Sequence, residues 1–273
     1  MRAAPPRRVA LTGAAGAIGT VLRPGLLAHG IALRSHDLRT LAPLAALEEV
    51  STGDLRDPAV VDRVVAGCEV VLHLAGTSVE RPLAEIIENN LRALHEVYEG
   101  ARRHGVRRVV FASSNHAFGM HEAEGTIGLG APFRPDGLYG LSKAWGESMS
   151  RLYWDKHGIE GISVRIGTAA AEPTEARHLS TWLGQRDMLH LALRCIEAEE
   201  VGCMAIWGVS ANSRAWWRND GAERLGYHPV QNAEDHASAV AGRVAADPVA
   251  VRFQGGSFAA HDYDRRDGTI REM

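Results

Sequence analysis

The chain has no long apolar run, no surplus of charge of one sign and few cysteines. It contains 273 residues, with a formal net charge of −3 at pH 7. No segment approaches the roughly 18 apolar residues of a membrane-spanning helix. The mixed charge provides no field that would attract nucleic acid or an anionic membrane. The basic start of the chain leads into an apolar strand rather than into the core of a signal peptide.

The three cysteines, Cys68, Cys195 and Cys203, are far apart and lack the spacing of metal ligands. Isolated thiols of this kind are typical of a reducing compartment. We therefore expect a soluble cytoplasmic protein without a bound metal, with neither nucleic acid nor a membrane as a partner. A chain of this length can hold one large domain or two small ones, with a substantial core.

The sequence does contain an alternation of apolar strands with helices. Strands are predicted at 8–12, 31–37, 49–55, 69–76, 106–114 and 161–166, and the intervening helices at about 17–30, 58–66, 82–104 and 136–158. This alternation predicts an α/β fold with a doubly wound parallel sheet, the Rossmann fold, and right-handed crossovers.

A glycine-rich turn lies between the first strand and the first helix. Gly13, Gly16 and Gly19 have the spacing GxxGxxG, with Ala17 and Ile18 between the last two glycines. Glycine at these positions permits a tight turn, close approach of a phosphate and close packing of the helix on the sheet. The free N–H groups of the helix start attract a pyrophosphate. The turn therefore predicts a dinucleotide site, and a turn with only a packing role is the alternative.

The second strand ends on Asp37, followed by Leu38, roughly 20 residues beyond the glycines, where a carboxylate binds the ribose hydroxyls of adenosine. The same carboxylate repels a 2′-phosphate, which favours NAD over NADP. Arg39 is close enough in sequence to weaken this repulsion. The alternative is that Asp37 only caps the following turn.

Other strand ends carry small and polar residues at the edge where an open parallel sheet binds its ligands. Asp54, followed by Leu55, is expected either to reach the adenine or to cap the next helix. Further cofactor contacts are predicted at Leu74, Ala75, Gly76 and Ile166 of the strand ends, and at Asn90 of the helix predicted at 82–104. The fifth strand brings Ser114, Asn115 and His116 to the same edge, unless these side chains only satisfy the backbone there.

Tyr139 and Lys143 are four residues apart in a predicted helix that Asp136 is expected to cap. Residues with this spacing share a helix face, with Cβ atoms about 5–6 Å apart. An ammonium group favours the phenolate, so we expect the pKa of Tyr139 to move from about 10 toward neutrality and make a base. An exposed lysine near a half-buried tyrosine is the alternative, and the upstream glycines and strand ends favour the catalytic interpretation.

The helix–strand alternation weakens beyond Gly167. Residues 168–181 are predicted as loop, 182–198 as helix, 203–207 as strand and 215–225 as helix. We expect residues 1–167 to form the NAD-binding core. Residues 168–273 are then expected to form a substrate-binding cap and a C-terminal segment packed on that core, within a single structural unit.

The chain resembles the short-chain dehydrogenase/reductase superfamily, and more closely its extended branch, which is similar to sugar-nucleotide epimerases. That resemblance is carried by the glycine turn, Asp37, Asp54-Leu55, Ser114 and the Tyr139/Lys143 pair. Further stretches resemble the bacterial uronate dehydrogenase family, at 78–82, 111–116, 134–140, 164–167, 177–182, 207–212 and 251–256. Together they extend over essentially the whole chain.

The resemblance implies NAD-dependent oxidation of cyclic D-glucuronate or D-galacturonate at C1, with an aldarolactone as the product. It implies that Tyr139 takes the proton of the anomeric hydroxyl. Lys143 would lower the pKa of Tyr139 and hold the nicotinamide ribose, while Ser114 would bind the reacting oxygen.

Contacts to the sugar acid are implied for Ser78, Ser114, Asn115, His116, Tyr139, Thr168 and Arg177. Thr168 stands where the family commonly has serine, which retains a hydroxyl. Arg165 and Arg134 are alternatives to Arg177 for the substrate carboxylate. The small-molecule partner is thus a hexuronic acid, and we also expect a homo-oligomer.

Two other functions are compatible with the same fold, since a fold does not determine a function. One is a sugar-nucleotide epimerase or dehydratase that retains NAD, although the short C-terminal part leaves little chain to hold a nucleotide. The other is a non-catalytic NAD-binding protein, against which the combination of Ser114, Tyr139 and Lys143 argues.

Overall fold

Within residues 7–264, which the computed structural model describes, seven parallel strands form one sheet. The strands of the chain are β1 (Arg8–Thr12), β2 (Ala32–Asp37), β3 (Glu48–Thr52), β4 (Val70–His73), β5 (Arg108–Ser114), β6 (Glu160–Ile166), β7 (Thr168–Ala169), β8 (Trp182–Leu183) and β9 (Cys203–Gly208). The large sheet has the order β3-β2-β1-β4-β5-β6-β9, while β7 and β8 form a separate pair.

Helices cover both faces of the sheet. They are α1 (Ala17–Ala28), α2 (Pro58–Val65), α3 (Leu83–Ile86), α4 (Ala93–His104), α5 (Leu138–His157), α6 (His178–Thr181), α7 (Gln185–Glu197), α8 (Ala222–Leu225), α9 (Ala237–Val240), α10 (Pro248–Arg252) and α11 (Ser257–Ala260). A π-helical turn (Ile87–Arg92) joins α3 to α4, and 3₁₀ turns cover Asn115–Phe118 and Ala233–His236. Every helix within 7–264 is too short or too polar to cross a membrane.

The core has two layers because successive strand residues point to opposite faces. Val9 and Leu11 of β1 pack with α1 and α7 on one side. Ala10, between them, packs with α2, α4 and α5 on the other side. Strands buried on both faces are characteristic of an all-parallel sheet. The predicted doubly wound α/β fold is confirmed.

The strand order reverses between β1 and β4, since the chain passes from β1 to β2 and β3 on one side before β4 pairs on the other. A crevice at such a point, beyond the carboxyl ends of the strands, is where open α/β sheets bind ligands. The glycine turn follows β1 at this crevice. The topology therefore positions the predicted site residues together.

Several predicted boundaries differ from the structure. The helix expected at 82–104 contains the π-helical turn, and the third strand ends at Thr52. In the last third, β7 and α6 occupy the predicted loop, β8 precedes α7, and the helix predicted at 215–225 is limited to α8.

The division predicted at residue 167 does not coincide with the edge of the sheet. Strand β9, from beyond that point, pairs with β6 in the main sheet, and α7 packs into the same core layer as α1. The substrate-capping role of the later residues stays a prediction. Residues 1–6 and 265–273 of the two predicted units lie outside the described residues.

Asp136 does not cap α5, contrary to expectation. Its carboxylate Oδ2 lies 2.7 Å from Nδ1 of His116. The first N–H groups of α5 are instead bonded by Glu80, whose carboxylate accepts from Leu138 and Tyr139. A long-range contact thus replaces the local cap, because the Asp136 carboxylate is bonded to the His116 ring instead.

The Arg165 side chain is buried in an ion pair with Glu147, so it is not available to a substrate. It donates to Glu147 through Nε at 3.0 Å and through Nη2 at 2.8 Å. Ser113 donates to the same carboxylate at 2.6 Å, and the guanidinium lies 4.2 Å from the centre of the Phe118 ring. This buried ion pair excludes Arg165 as the alternative ligand for a sugar carboxylate.

Replacing Arg165 by methionine is expected to lower the free energy of unfolding by about 3–5 kcal/mol, since it leaves Glu147 buried without its cation. Urea denaturation measures this loss. Arg151→Met, which breaks an exposed pair with Asp155, is the control and is expected to change stability little. Equal losses in the two variants would contradict the structural role of Arg165.

Candidate active site

A cavity of about 750 Å³ lies beyond the carboxyl ends of the strands. All but one of the predicted site residues line it: Gly13, Gly16, Ala17, Ile18, Gly19, Asp37, Leu38, Asp54, Leu55, Leu74, Ala75, Gly76, Ser78, Ser114, Asn115, His116, Tyr139, Lys143, Ile166, Thr168 and Arg177. The exception is Asn90. The topology therefore brings together residues that are up to 164 positions apart, from Gly13 to Arg177.

The glycine turn fits a pyrophosphate. Gly13 has a φ of 72°, and a Cβ atom there would lie 2.7 Å from the backbone nitrogen of Ala75. Gly16 precedes α1, and among the described residues no side chain caps that helix. The first N–H groups of α1 are therefore open to an anion, which the positive end of the helix attracts.

Asp37 is fixed beside this turn. Its Oδ2 accepts from the N–H of Ala15 at 2.9 Å, and its Oδ1 accepts from the N–H of Arg39 at 3.0 Å. The second bond is the turn-capping contact that was the alternative interpretation, yet the carboxylate also lines the cavity. The Arg39 side chain donates to the carbonyl of Ala15, next to the same carboxylate.

Asp54 is paired with Arg56 rather than capping the next helix. Nε of Arg56 lies 3.0 Å from Oδ1 and 2.9 Å from Oδ2 of Asp54, and this hydrogen bonding lowers the pKa of the Asp54 carboxyl. The cap of α2 is Asp57, which accepts from Ala59. Asp54 and Arg56 both line the cavity, on the side of the predicted adenine site.

Tyr139 and Lys143 share a face of α5, as predicted, and Nζ of Lys143 lies 5.5 Å from the centre of the Tyr139 ring. Lys143 donates to the carbonyl of Ala112 at 2.8 Å. The Ser114 side chain lines the same cavity and influences the pKa of Tyr139. The three predicted catalytic side chains are thus in one place.

The pKa of Tyr139 moves in the direction opposite to the prediction. Burial raises the pKa of Tyr139 to about 12, although the Ser114 side chain opposes this rise. Burial also lowers the pKa of Lys143 to about 8. Both shifts have one cause, since a desolvated site disfavours the charged form of each group. The prediction considered the neighbouring cation but not the burial of both groups.

His116 and Phe258 form the wall of the cavity next to Tyr139. The two rings stack with their centres 3.9 Å apart, and the His116 ring meets the Tyr139 ring edge-on at 5.7 Å. Phe258 was not predicted from the sequence. It lies in the C-terminal segment, where no periodic pattern indicates which side chains return to the site.

Arg177 reaches the same end of the cavity and is half-buried. Its Nε donates to the carbonyl of Gln254 at 3.0 Å. The Asn115 amide is oriented so that both its oxygen and its nitrogen form hydrogen bonds. Its oxygen accepts from Nη2 of Arg177 at 3.0 Å, and its nitrogen donates to the carbonyl of Ile166 at 3.1 Å. Burial lowers the pKa of the guanidinium, and Glu175 and Asp136 oppose this shift. Arg177 is therefore a fixed cation beside the predicted catalytic residues.

The remaining predicted residues differ in their surroundings. Ser78 lies on an exposed part of the cavity wall. The hydroxyl of Thr168 lies 2.8 Å from that of Thr181. Asn90 does not reach the cavity; its side chain bonds both backbone groups of Thr77 and the hydroxyl of Ser142. Asn90 therefore orders the loop after β4 instead of lining the predicted cofactor site.

Comparison with known proteins identifies the family. The profile of the NAD dependent epimerase/dehydratase family matches residues 9–217. The chain belongs to this family. It is 43% identical to a uronate dehydrogenase from Pseudomonas syringae pv. tomato, over 94% of each chain.

Solved structures agree with that assignment. A uronate dehydrogenase variant from Agrobacterium tumefaciens, complexed with NAD, has a TM-score of 0.89 and 42% identity over 93% of this chain and 97% of that one. A glucuronic acid dehydrogenase from Chromohalobacter salexigens has a TM-score of 0.89 and 39% identity over 93% and 97% of the two chains. The predicted resemblance, the NAD cofactor and the oxidoreductase class are confirmed.

For a family member with Asp37 at this position, we expect a strong preference for NAD over NADP. Asp37→Ala removes the charge that repels a 2′-phosphate and is expected to narrow the ratio of the two kcat/KM values by about tenfold or more. Asp62→Ala, in the exposed contact with Arg103, is the control. Equal kcat/KM for both cofactors in the unmodified protein would show that Arg39 outweighs Asp37.

Proposed function

We propose that this NAD-dependent oxidoreductase oxidises the cyclic form of a hexuronic acid, D-glucuronate or D-galacturonate, at C1 to the aldarolactone. The observation that carries the proposal is a half-buried guanidinium, Arg177, in the same cavity as Ser114, Tyr139 and Lys143. An acid–base pair serves the oxidation of a hydroxyl, and the fixed cation suits a substrate with a carboxylate.

The dinucleotide would be held by the glycine turn at its pyrophosphate and by Asp37 at its adenosine ribose. Bound NAD supplies the hydride acceptor and a positive charge on the oxidised nicotinamide ring. The protein supplies orientation and the acid–base group. Lys143, whose ammonium is fixed by the Ala112 carbonyl, binds the nicotinamide ribose in this proposal.

Tyr139 acts on the anomeric hydroxyl. Tyr139 must first lose its own proton to solvent; as the hydride then leaves C1, the O–H electron pair forms the C1–O double bond and the proton passes to the phenolate oxygen. Ser114, which lines the cavity together with Tyr139, holds the reacting oxygen through its hydroxyl. The pKa of about 12 in the protein alone must fall for this transfer, and positive charge next to the phenol lowers it.

Arg177 binds the carboxylate of the sugar acid. Its bonds to Gln254 and Asn115 fix the plane of the guanidinium. Within residues 7–264, Nη1 has no hydrogen-bond partner, so its N–H groups are open to the substrate. A planar guanidinium matches the two oxygens of a carboxylate better than a point charge does. His116 and Asn115, which line the same cavity, contact the sugar hydroxyls in this proposal.

One assay separates this proposal from its alternatives. The protein is mixed with NAD and a panel of uronates, neutral sugars and sugar nucleotides, and NADH is followed by absorbance. Stoichiometric NADH from uronates supports the proposal. Isomerisation or dehydration of a sugar nucleotide without net NADH would instead support an epimerase or dehydratase. No turnover on any substrate would support a non-catalytic protein.

Tyr139→Phe is expected to lower kcat for glucuronate by about 10²–10⁴-fold, the contribution of a general base. The dissociation constant of NAD should stay near its parental value, because only the phenolic oxygen is removed. Stopped-flow turnover and fluorescence titration measure the two quantities. Near-normal turnover in this variant would remove Tyr139 from the mechanism.

Arg177→Ala is expected to raise KM for glucuronate at least about tenfold, since a hydrogen bond to a charged group contributes about 1.5–3 kcal/mol. Slow oxidation of neutral glucose should change far less. Arg214→Ala, which removes an exposed partner of Glu234, is the control and should leave both sugars unaffected. If glucuronate and glucose lose activity equally, Arg177 is structural and the acid is recognised elsewhere.

A further inference from the structure

Glu80 bonds the catalytic helix from a distant part of the chain. It lies in the loop between β4 and α3. Its Oε1 accepts from the N–H of Leu138 at 2.9 Å, and its Oε2 accepts from the N–H of Tyr139 at 3.0 Å. Both donors belong to the first turn of α5, whose N–H groups have no partner within the helix. One carboxylate therefore satisfies two of these groups, including that of Tyr139 itself.

The first turn of α5 has no cap from its own sequence. The residue before the helix is Gly137, which has no side chain, and the first turn contains no acidic residue. A Cβ atom at Gly137 would lie 2.4 Å from Oε2 of Glu80, so glycine here leaves room for the carboxylate. The negative charge also lies at the positive end of the helix, where it is favourable. The start of α5 thus depends on Glu80.

A second contact ties the same loop to the same turn. The Asn90 side chain bonds Thr77, at the other end of the loop, and donates to the hydroxyl of Ser142 at 2.9 Å. That hydroxyl in turn donates to the carbonyl of Tyr139 at 2.7 Å. The backbone of Tyr139 is therefore held on both sides, by Glu80 at its N–H and through Ser142 at its carbonyl.

Ser78 and Val79, between these two anchors, line the cavity. A shift of this loop would move the start of α5, and a shift of α5 would move the phenol relative to the sugar. We propose that Glu80 is a positioning residue, which fixes the phenol of Tyr139 relative to the loop that carries Ser78. The inference rests on the proposed function, in which Tyr139 is the base.

The test compares Glu80→Ala with Asp57→Ala. Asp57 caps α2 by accepting from Ala59 at 2.9 Å, so its removal deletes a cap from a helix without the catalytic pair. Misplacing a reacting group by about 1 Å can cost about 10²-fold in rate. Glu80→Ala should therefore lower kcat by about 10–100-fold, with the Kd of NAD nearly unchanged. Asp57→Ala should lower Tm comparably and keep kcat at saturating NAD.

Amide hydrogen exchange supplies a readout that does not depend on activity. The N–H groups of Leu138 and Tyr139 should exchange slowly in the parent and at least about tenfold faster in Glu80→Ala, because they lose their acceptors. Asp57→Ala should leave exchange at this turn unchanged. Should Glu80→Ala fail to fold, Glu80→Gln, which keeps one acceptor oxygen, carries the test with a smaller expected loss of kcat.

Parental kcat in Glu80→Ala, or in Glu80→Gln where that variant is needed, would overturn the inference even if Tm falls. Equal losses of kcat in the Asp57 and Glu80 variants would also overturn it, since the effect would then be general destabilisation. Failure of the proposed function is distinguishable. In that case Tyr139→Phe itself retains turnover, whereas failure of the inference alone leaves Tyr139→Phe inactive and the Glu80 variant active.

Discussion

The site depends on the burial of Tyr139 and Lys143, two side chains of α5 that lie near the carboxyl end of β5. Desolvation raises the pKa of Tyr139 to about 12 and lowers that of Lys143 to about 8. In the protein alone, the phenol therefore stays protonated at neutral pH. In the proposed reaction, the base becomes effective only when positive charge binds beside it. Such a site holds its proton until the positively charged cofactor is in place.

The fold holds these buried groups through contacts from three directions. The Ala112 carbonyl binds the Lys143 ammonium from the strand side. The Glu80 carboxylate binds the Tyr139 backbone from the loop after β4, and Phe258 stacks on the neighbouring His116 ring from the C-terminal segment. The three elements are far apart in sequence, so the geometry of the site is a property of the whole fold.

Much of the site could be predicted from sequence because a parallel sheet brings the carboxyl ends of its strands to one edge. Gly13 directly follows a strand, and Asp37 and Ser114 each end one, so local patterns were enough to place them. Contacts between distant segments carry no such signal. Phe258 and Glu80 were therefore missed as parts of the site, the cap of α5 was assigned to Asp136, and β9 was placed outside the sheet. The predicted shift in the pKa of Tyr139 was wrong in direction, because the spacing of two residues in a sequence does not show how deeply they are buried.

The central claim is that a hydride passes from C1 of a uronate to NAD. The most direct measurement uses glucuronate carrying deuterium at C1, with the reduced cofactor and the sugar product analysed by mass spectrometry. The account predicts one reduced cofactor per sugar oxidised, with the deuterium in the cofactor and none in the lactone. Deuterium retained in the sugar product, or no reduction of NAD by any uronate, would contradict it.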